Sequence, residues 1–453
     1  MKMNSAPQVT PIVIATRSSQ FRMYQMVTIA VSLTLLAGSI LSCGGGGSAE
    51  PGLPASPAQA VVIDKWHPGI YVKVEDWQWY KQGQVNQIND TEMAKIYNEL
   101  ATTPGLRGIK IVLKWGRYEG SPGVYDFSRI DEILAKLADD PALKGKDKHL
   151  IVSFPWREFQ SVKGASEILP NDLQGGTLWN DPDLAAPDWS HIDYDRLWAY
   201  KVSNVTGSYA YDIKLWDPAI IARLDAFFAA LAQRYDKHPN VTMVSTTESA
   251  IGEPVIPFVA GESAALQFAG QIEVIRRLKK YFIHSLVMSE LNYDRPHVAN
   301  MVNNVLQQEK VGLGSPNNNM DHGLNCSATT NPSCSTPGVL TYYPGLSGRV
   351  VLAPEIQGDD FESVTGTECD PVHPTYDYLY DRVRFDLKAN YTVIQRNTPY
   401  WLGGTVSTPS CPSRPTVTAP AGGMLQFLKD HDPIKNDPTG AGGLDHNKPL
   451  SVP

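Results

Sequence analysis

The chain has 453 residues, 42% hydrophobic and 19% charged, which is enough apolar material for a sizeable core and excludes global disorder. Lys and Arg number 39 against 47 Asp and Glu, a net charge of −8 with no basic cluster, so nucleic acid is excluded as the expected partner. At ~150 residues per average domain the chain is long for one domain, yet a single large barrel accommodates it.

Residues 1–49 contain no Asp or Glu. Lys2, Arg17 and Arg22 precede an uncharged apolar run from Met26 to Leu41. A basic segment followed by a short apolar one predicts a secretory signal over 1–42, and the run falls short of the ~20 residues of a membrane-spanning helix. The alternative is an uncleaved N-terminal anchor. The stretch Ile40-Leu41-Ser42-Cys43 resembles a bacterial lipobox. That resemblance implies lipidation of Cys43; Gly44–Gly47 predict a flexible tether over 43–60, which leaves 61–453 for the folded domain. The implied location is exported and anchored to the bacterial membrane, at the outer membrane or cell surface, since Gly44 rather than Asp follows the cysteine. Loss of Lys2, Arg17 and Arg22 would take the net charge to −11, a poor match for anionic lipid, so the lipid anchor is the expected membrane contact.

From residue 61 onward, short β-rich runs at 69–74, 108–113, 149–154, 241–246, 285–289, 311–314, 350–353 and 391–394 alternate with helical stretches. Phe127, Ile130, Leu134 and Leu137 recur at helical spacing, as do Ile220, Leu224, Phe227, Phe228 and Leu231. Asp217-Pro218 supplies an N-cap and a first-turn proline to the second set. Eight strand–helix units predict an α/β fold, a single (β/α)8 TIM barrel with long loops at the C-terminal face. Residues 158–216, holding Trp179, Trp189, Trp198 and Trp216, and residues 315–346 interrupt the alternation on that face. Four cysteines follow Cys43, and an even number in an exported chain predicts two disulfides. Cys326–Cys334 with Cys369–Cys411 is the favoured pairing of three, because the first closes a short polar loop. No Cys-x-x-Cys or paired His accompanies them, so no metal site is expected.

Strand four ends Ser245-Thr246-Thr247-Glu248 and strand seven runs on through Ala353-Pro354-Glu355. An apolar β-run ending in a carboxylate places a charge at the barrel rim, exposed or partnered. One reading is a structural rim ion pair. The other is glycoside hydrolysis, in which two carboxylates flank the bond, about 5 Å apart in retaining enzymes and about 6.5–9.5 Å in inverting ones.

Two segments carry a family resemblance. Arg234-Tyr235-Asp236-Lys237-His238-Pro239-Asn240-Val241, running into the strand that ends in Glu248, looks like the fourth helix–strand unit of clan A glycoside hydrolases. Trp115-Gly116-Arg117-Tyr118-Glu119, followed by Pro122-Gly123-Val124-Tyr125-Asp126-Phe127, is similar to the second strand and loop of that clan's β-galactosidase and cellulase-like families. The resemblance implies a retaining hydrolase of β-linked oligo- or polysaccharide, with Glu248 as acid/base, Glu355 as nucleophile and no cofactor. Two departures stand out: Thr247 where the clan has Asn, which holds the sugar 2-hydroxyl, and Gly120 where related sequences often have Pro.

Other candidates follow from position. Trp115, Trp156 and Trp401 lie at or just past the ends of strands two, three and eight, where indole faces suit sugar rings; packing is the alternative for each. Arg117 and Arg157 would orient a carboxylate of the pair or satisfy surface acids. Glu290 is either a third pocket carboxylate or a partner for Arg295 or another cation. Asn292 and Tyr293, and His67, His297 and His322, are weaker candidates for substrate contact. No obligate protein partner is evident. A non-catalytic glycan-binding lipoprotein on the same barrel is the alternative function. An esterase or deacetylase comes last, since no Gly-x-Ser-x-Gly elbow or clustered His is present.

Overall fold

A computed structural model describes residues 63–74, 90–158, 167–175, 177–178, 192–193, 195–201, 209–251, 253–254, 258, 261–318, 323–329, 332–361, 375–396, 400–407 and 416–452. The expected signal over 1–42, Cys43, Cys369, Cys411, Trp179, Trp189 and His322 lie outside them. Eight parallel strands close into a barrel in the order β1-β8-β7-β6-β5-β4-β3-β2. They are β1 (Gly69–Val74), β2 (Leu106–Val112), β3 (His149–Phe154), β4 (Val241–Thr246), β5 (Leu286–Glu290), β6 (Gly312–Ser315), β7 (Leu352–Ile356) and β8 (Tyr391–Gln395). Helices follow the strands in turn: α1 (Asp90–Thr102), α2 (Ser128–Asp139), α3 (Pro218–Tyr235), α4 (Ala264–Tyr281), α5 (Arg295–Met301), α6 (Tyr343–Leu346), α7 (Tyr376–Asp381) and α8 (Gly423–Asp430). The single (β/α)8 barrel expected from the strand cadence is the fold. Among the described residues no helix is long and apolar enough to cross a membrane.

The period of two along each strand sorts its residues into two cores. Ile70, Val72, Ile109, Ile111, Leu150 and Val152 face outward and pack under the helices. Tyr71, Ile151, Met243, Leu286, Met288, Val351, Ala353, Tyr391 and Val393 fill the barrel interior over Trp66. Gly108 permits the close contact of β2 with β3, because a Cβ there would stand 1.9 Å from the His149 carbonyl oxygen. The apolar stripe of α2 buries Ile130, Ile133, Leu134 and Leu137, and Asp217 caps α3 by accepting from the Ala219 N–H at 2.7 Å.

Strand boundaries match the sequence expectation within two residues except at β7. That strand continues through Pro354 to Ile356, because the Pro354 carbonyl still accepts from the Thr392 hydroxyl at 2.9 Å. Glu355 is therefore inside the strand and points into the barrel. The interruption after β3 has structure of its own. Arg157–Glu158, Leu197–Lys201 and Tyr209–Ile213 form antiparallel neighbours, and Glu253–Pro254, after β4, adds a fourth strand. Cys326 and Cys334 form the disulfide favoured from their spacing.

Two of the tryptophans expected at the rim belong to the outer core instead. Trp115 is fully buried against Phe154 and Phe227, with its indole N–H donating to Glu119 at 2.6 Å. Trp401 is fully buried and donates to Glu99 at 3.0 Å. The same Glu99 takes a two-pronged contact from Arg396, 2.8 and 2.7 Å, joining α1 to the end of β8. Glu99→Ala is expected to lower the unfolding free energy by about 3–5 kcal/mol, because it leaves the Arg396 charge buried without its main partner. Urea unfolding followed by tryptophan fluorescence checks this; a loss below 1 kcal/mol would contradict it.

Candidate active site

The inward positions nearest the C-terminal ends of the strands are polar where the lower interior is apolar. Lys73 on β1, Lys110 on β2, Glu290 on β5, Glu355 on β7 and Gln395 on β8 occupy them. Gly314 on β6 leaves room for this layer, since a Cβ there would meet the Glu290 Cγ at 2.8 Å.

Lys110, fully buried, bridges Glu290 and Glu355, its ammonium in contact with both carboxyl groups. Lys73 adds a second cation to Glu355 at 3.3 Å, and the Gln357 amide donates to the same carboxylate oxygen at 3.3 Å. The cation expected beside Glu290 is thus Lys110; Arg295 reaches the Thr336 carbonyl instead. Burial pushes both carboxyls up, and the balance then differs between them. Burial and the neighbouring Glu355 charge push Glu290 up to about 8 against the pull of Lys110 and Lys73. At Glu355 the attraction of Lys110 and Lys73 outweighs its burial and holds the carboxylate well below its usual range. One glutamate is kept as an anion and its neighbour as an acid.

Glu248 follows β4 in a different setting, with its side chain 18% exposed. The Asn292 amide donates to one carboxylate oxygen at 2.7 Å, and the Trp156 indole N–H donates to the Glu248 backbone carbonyl at 2.8 Å. Arg157 stands 3.9 Å away while its other nitrogens clamp Asp212 at 2.9 Å each. Asp212 is fully buried, and its carboxyl is raised by burial in spite of Arg157. Arg157 thus has Asp212 as its hydrogen-bonded partner and stands within ion-pair reach of Glu248. Trp156 acts through its N–H on the backbone; its ring is 1% exposed, which corrects the expectation of an open sugar-stacking face.

The remaining candidates divide. Arg117 pairs with Glu167, a partly exposed acid, the second of its two expected roles. Thr247 donates its backbone N–H to Phe154 at 3.2 Å, while its buried hydroxyl makes no hydrogen bond among the described residues. Tyr293 is exposed beyond β5, and His297 is buried, stacked on Phe268. Lys73, Lys110 and Asp212 were missed in the sequence. A charge inside an apolar strand, the signal that selected Glu355, also marks Lys110 between Ile109 and Ile111 and Lys73 between Val72 and Val74.

His67, Asp147 and His149 gather at the opposite end of the barrel. The two imidazole rings stack at 3.4 Å, so their in-plane lone pairs lie in near-parallel planes that share no point where one ion could sit. Arg107 already pairs with Asp147 at 2.6 Å. As arranged, this set does not converge on a metal.

No family model matches the chain, and no curated protein matches it. Among solved structures it is similar to endo-glycoceramidase II from Rhodococcus sp. in a lactosyl-enzyme intermediate, at TM-score 0.46 and 11% identity over 80% of this chain and 78% of that one. It is similar to a trimodular endoglucanase of the GH5_4 subfamily at TM-score 0.42 and 9% identity, over 75% and 57%. A β-glucanase from Saccharophagus degradans gives TM-score 0.39 and 12% identity over 74% and 81%.

The raised Glu290 carboxyl has a consequence for stability. The folded state holds a proton there that the unfolded chain releases near pH ~4.3, so this contribution is complete below that pH and is lost as pH rises through about 8. Glu355, held low, contributes in the opposite sense, with stability present above ~4.3 and lost on acidification. The Glu290 contribution falls between about pH 5 and 8 by up to about 1.4 kcal/mol per pH unit, while His67, His149, His238 and His297, held below their usual range by burial, contribute in the opposite sense up to about pH 6.5. Glu290→Gln should therefore make the pH slope of the unfolding free energy more positive than in the parent chain. Urea titrations across this range check both; an unchanged slope in the variant would refute the assignment.

Proposed function

We propose that the chain is a retaining glycoside hydrolase acting on β-linked sugars, with Glu355 as nucleophile and Glu248 as acid/base. The observation that carries the reading is the contrast between the two glutamates. Glu355 is held as an anion at the mouth by two lysines, the state a nucleophile needs. Glu248 lies at the partly exposed end of β4, positioned by Asn292 and Arg157, where it can exchange a proton with a leaving group and then with water. In this mechanism Glu355 bonds the anomeric carbon as Glu248 protonates the departing oxygen. Glu248 then takes a proton from the water that breaks the glycosyl ester. Export and anchoring through Cys43 complete the proposal and would put the reaction outside the cytoplasm.

A specific observation favours a second reading. Glu355 has no exposed surface, and both of its oxygens are engaged, one by Lys110 and the other by Lys73 and Gln357. A glycan-binding barrel without turnover would tolerate that closure. Glu248→Gln and Glu355→Gln are each expected to lower turnover of aryl β-glucosides or β-galactosides by at least roughly 10²-fold, with the product anomer retained when followed by proton NMR. Wild-type-like turnover in both variants would sink the catalytic assignment. Oligosaccharide binding by calorimetry with no reducing sugar released would install the second reading.

A further inference from the structure

We infer that the Lys110 ammonium and the hydroxyls of Ser153 and Ser245 form a binding site inside the barrel, and that its occupant is a single water molecule serving as the third hydrogen-bond partner of the ammonium. The inference lies beyond the glycosidase reading and does not depend on it.

Register sets where these groups stand. The strands of an eight-stranded barrel are tilted, so the side chains of one interior layer come from alternate strands. Followed around the closed sheet, the pairing places Lys73, Ser153, Glu290 and Glu355 in one layer. Lys110, Ser245, Gly314 and Val393 form the layer one residue below. Lys110 rises out of its own layer, since its ammonium contacts both carboxyl groups of the one above. Ser153 belongs to that upper layer, and Ser245 is its Cα partner on the next strand. Both serines therefore line the β3–β4 side of the space into which the ammonium reaches from β2.

Each of the three groups has a hydrogen-bonding direction that no described residue takes. An ammonium carries three donor hydrogens, and Lys110 directs one to Glu290 and one to Glu355. Ser153 and Ser245 have no exposed surface, and neither hydroxyl has a hydrogen-bond partner among the described residues. A buried hydroxyl without a partner is costly, and native interiors satisfy such groups with protein or with ordered water. The wall at this height consists of the eight strands themselves, and Met288 and Val393 close the interior beneath.

Charge and hydrogen-bond count select the occupant. The Lys73 and Lys110 ammoniums repel a cation, and the Glu355 carboxylate disfavours an anion. A neutral molecule that accepts from Lys110 and donates to Ser153 and Ser245 makes three hydrogen bonds, the number typical of a buried water. The ammonium is then held from three sides, which fixes Lys110 between the two glutamates.

The test is a high-resolution crystal structure of the full chain without ligand, together with urea unfolding of Ser153→Ala and Ser245→Ala. Density for one water is expected within ~3.2 Å of the Lys110 Nζ and of both serine Oγ atoms. Each alanine variant is expected to raise the unfolding equilibrium constant at fixed urea roughly fivefold, the loss of about one hydrogen bond. The double variant should raise it by less than the product of the two, because both serines hold the same molecule. A bare, unpartnered hydroxyl predicts the reverse sign, since its removal relieves a cost, so a stabilising alanine at either position would overturn the site. Direct bonding of Ser153 to Ser245, or a side chain from elsewhere in the chain reaching either hydroxyl, would overturn it as well. Density present only after a glycan soak would make the occupant a sugar hydroxyl and remove the water. All of these measurements except the soak are made without substrate, so their outcome is separate from whether the chain hydrolyses glycosides.

Discussion

A lysine ammonium with no exposed surface, touching two glutamates, is the constraint around which the upper barrel is arranged. Taking an ion out of water costs several kcal/mol even after relaxation, and only close counter-charges and hydrogen bonds offset it. Lys110 could not occupy an inward position of β2 without Glu290 and Glu355 on the facing strands. Nor could Glu355 sit inside β7 without Lys110 and Lys73. The four residues come from four strands of the closed barrel, so a slip of one residue in any strand would turn its charge outward into the apolar layer beneath the helices. The ionic layer specifies register as well as electrostatics.

The same barrel gives Glu248 the opposite treatment. It stands past the end of β4, where water reaches it, and its partners come from outside the barrel wall. Asn292 follows β5, and Arg157 belongs to the sheet inserted after β3. That sheet is anchored by the buried Arg157–Asp212 pair. The sheet keeps Glu248 in an environment distinct from that of Glu355, the kind of contrast by which two chemically identical groups can be given different roles.

The barrel was legible because most strands are short, apolar and rich in β-branched residues and alternate with amphipathic helices, and these signals are local. Glu355 and Glu248 were legible for a related reason, as charges closing apolar runs. The partners of Glu355 carried the same signal, but Lys73 is the fifth of six residues in β1 and Lys110 the fifth of seven in β2, inside their strands, whereas chemistry was sought at the residue that closes each strand. The tryptophans failed for another reason. Trp115 and Trp401 do lie near strand ends, but position along a strand does not say which side of the wall a ring takes, and both turn outward under the helices. Arg117 likewise answers to Glu167, a partner set by how residues 114–118 meet the segment before residue 170, which no spacing encodes. The strand pairing that sets Asp212 beside Arg157 is long-range and equally invisible in sequence.

The charge layer also limits what a covalent step at Glu355 can cost. When a carboxylate becomes an ester it loses its negative charge, and the cations beside it lose their counter-ion. In a site with Lys110 alone, that would strand an ammonium in the barrel interior, at a cost of several kcal/mol that would raise the barrier to forming the intermediate. Glu290 removes this difficulty. It touches the same lysine, and the Glu355 charge is one of the causes that keep its carboxyl up. In the mechanism proposed above, neutralising Glu355 would withdraw that cause and leave Glu290 beside Lys110 as the carboxyl able to carry the counter-charge. Hydrolysis of the ester restores the Glu355 charge and with it the reason for Glu290 to hold a proton. The two glutamates around one lysine thus offer it a counter-charge whichever of them is neutral.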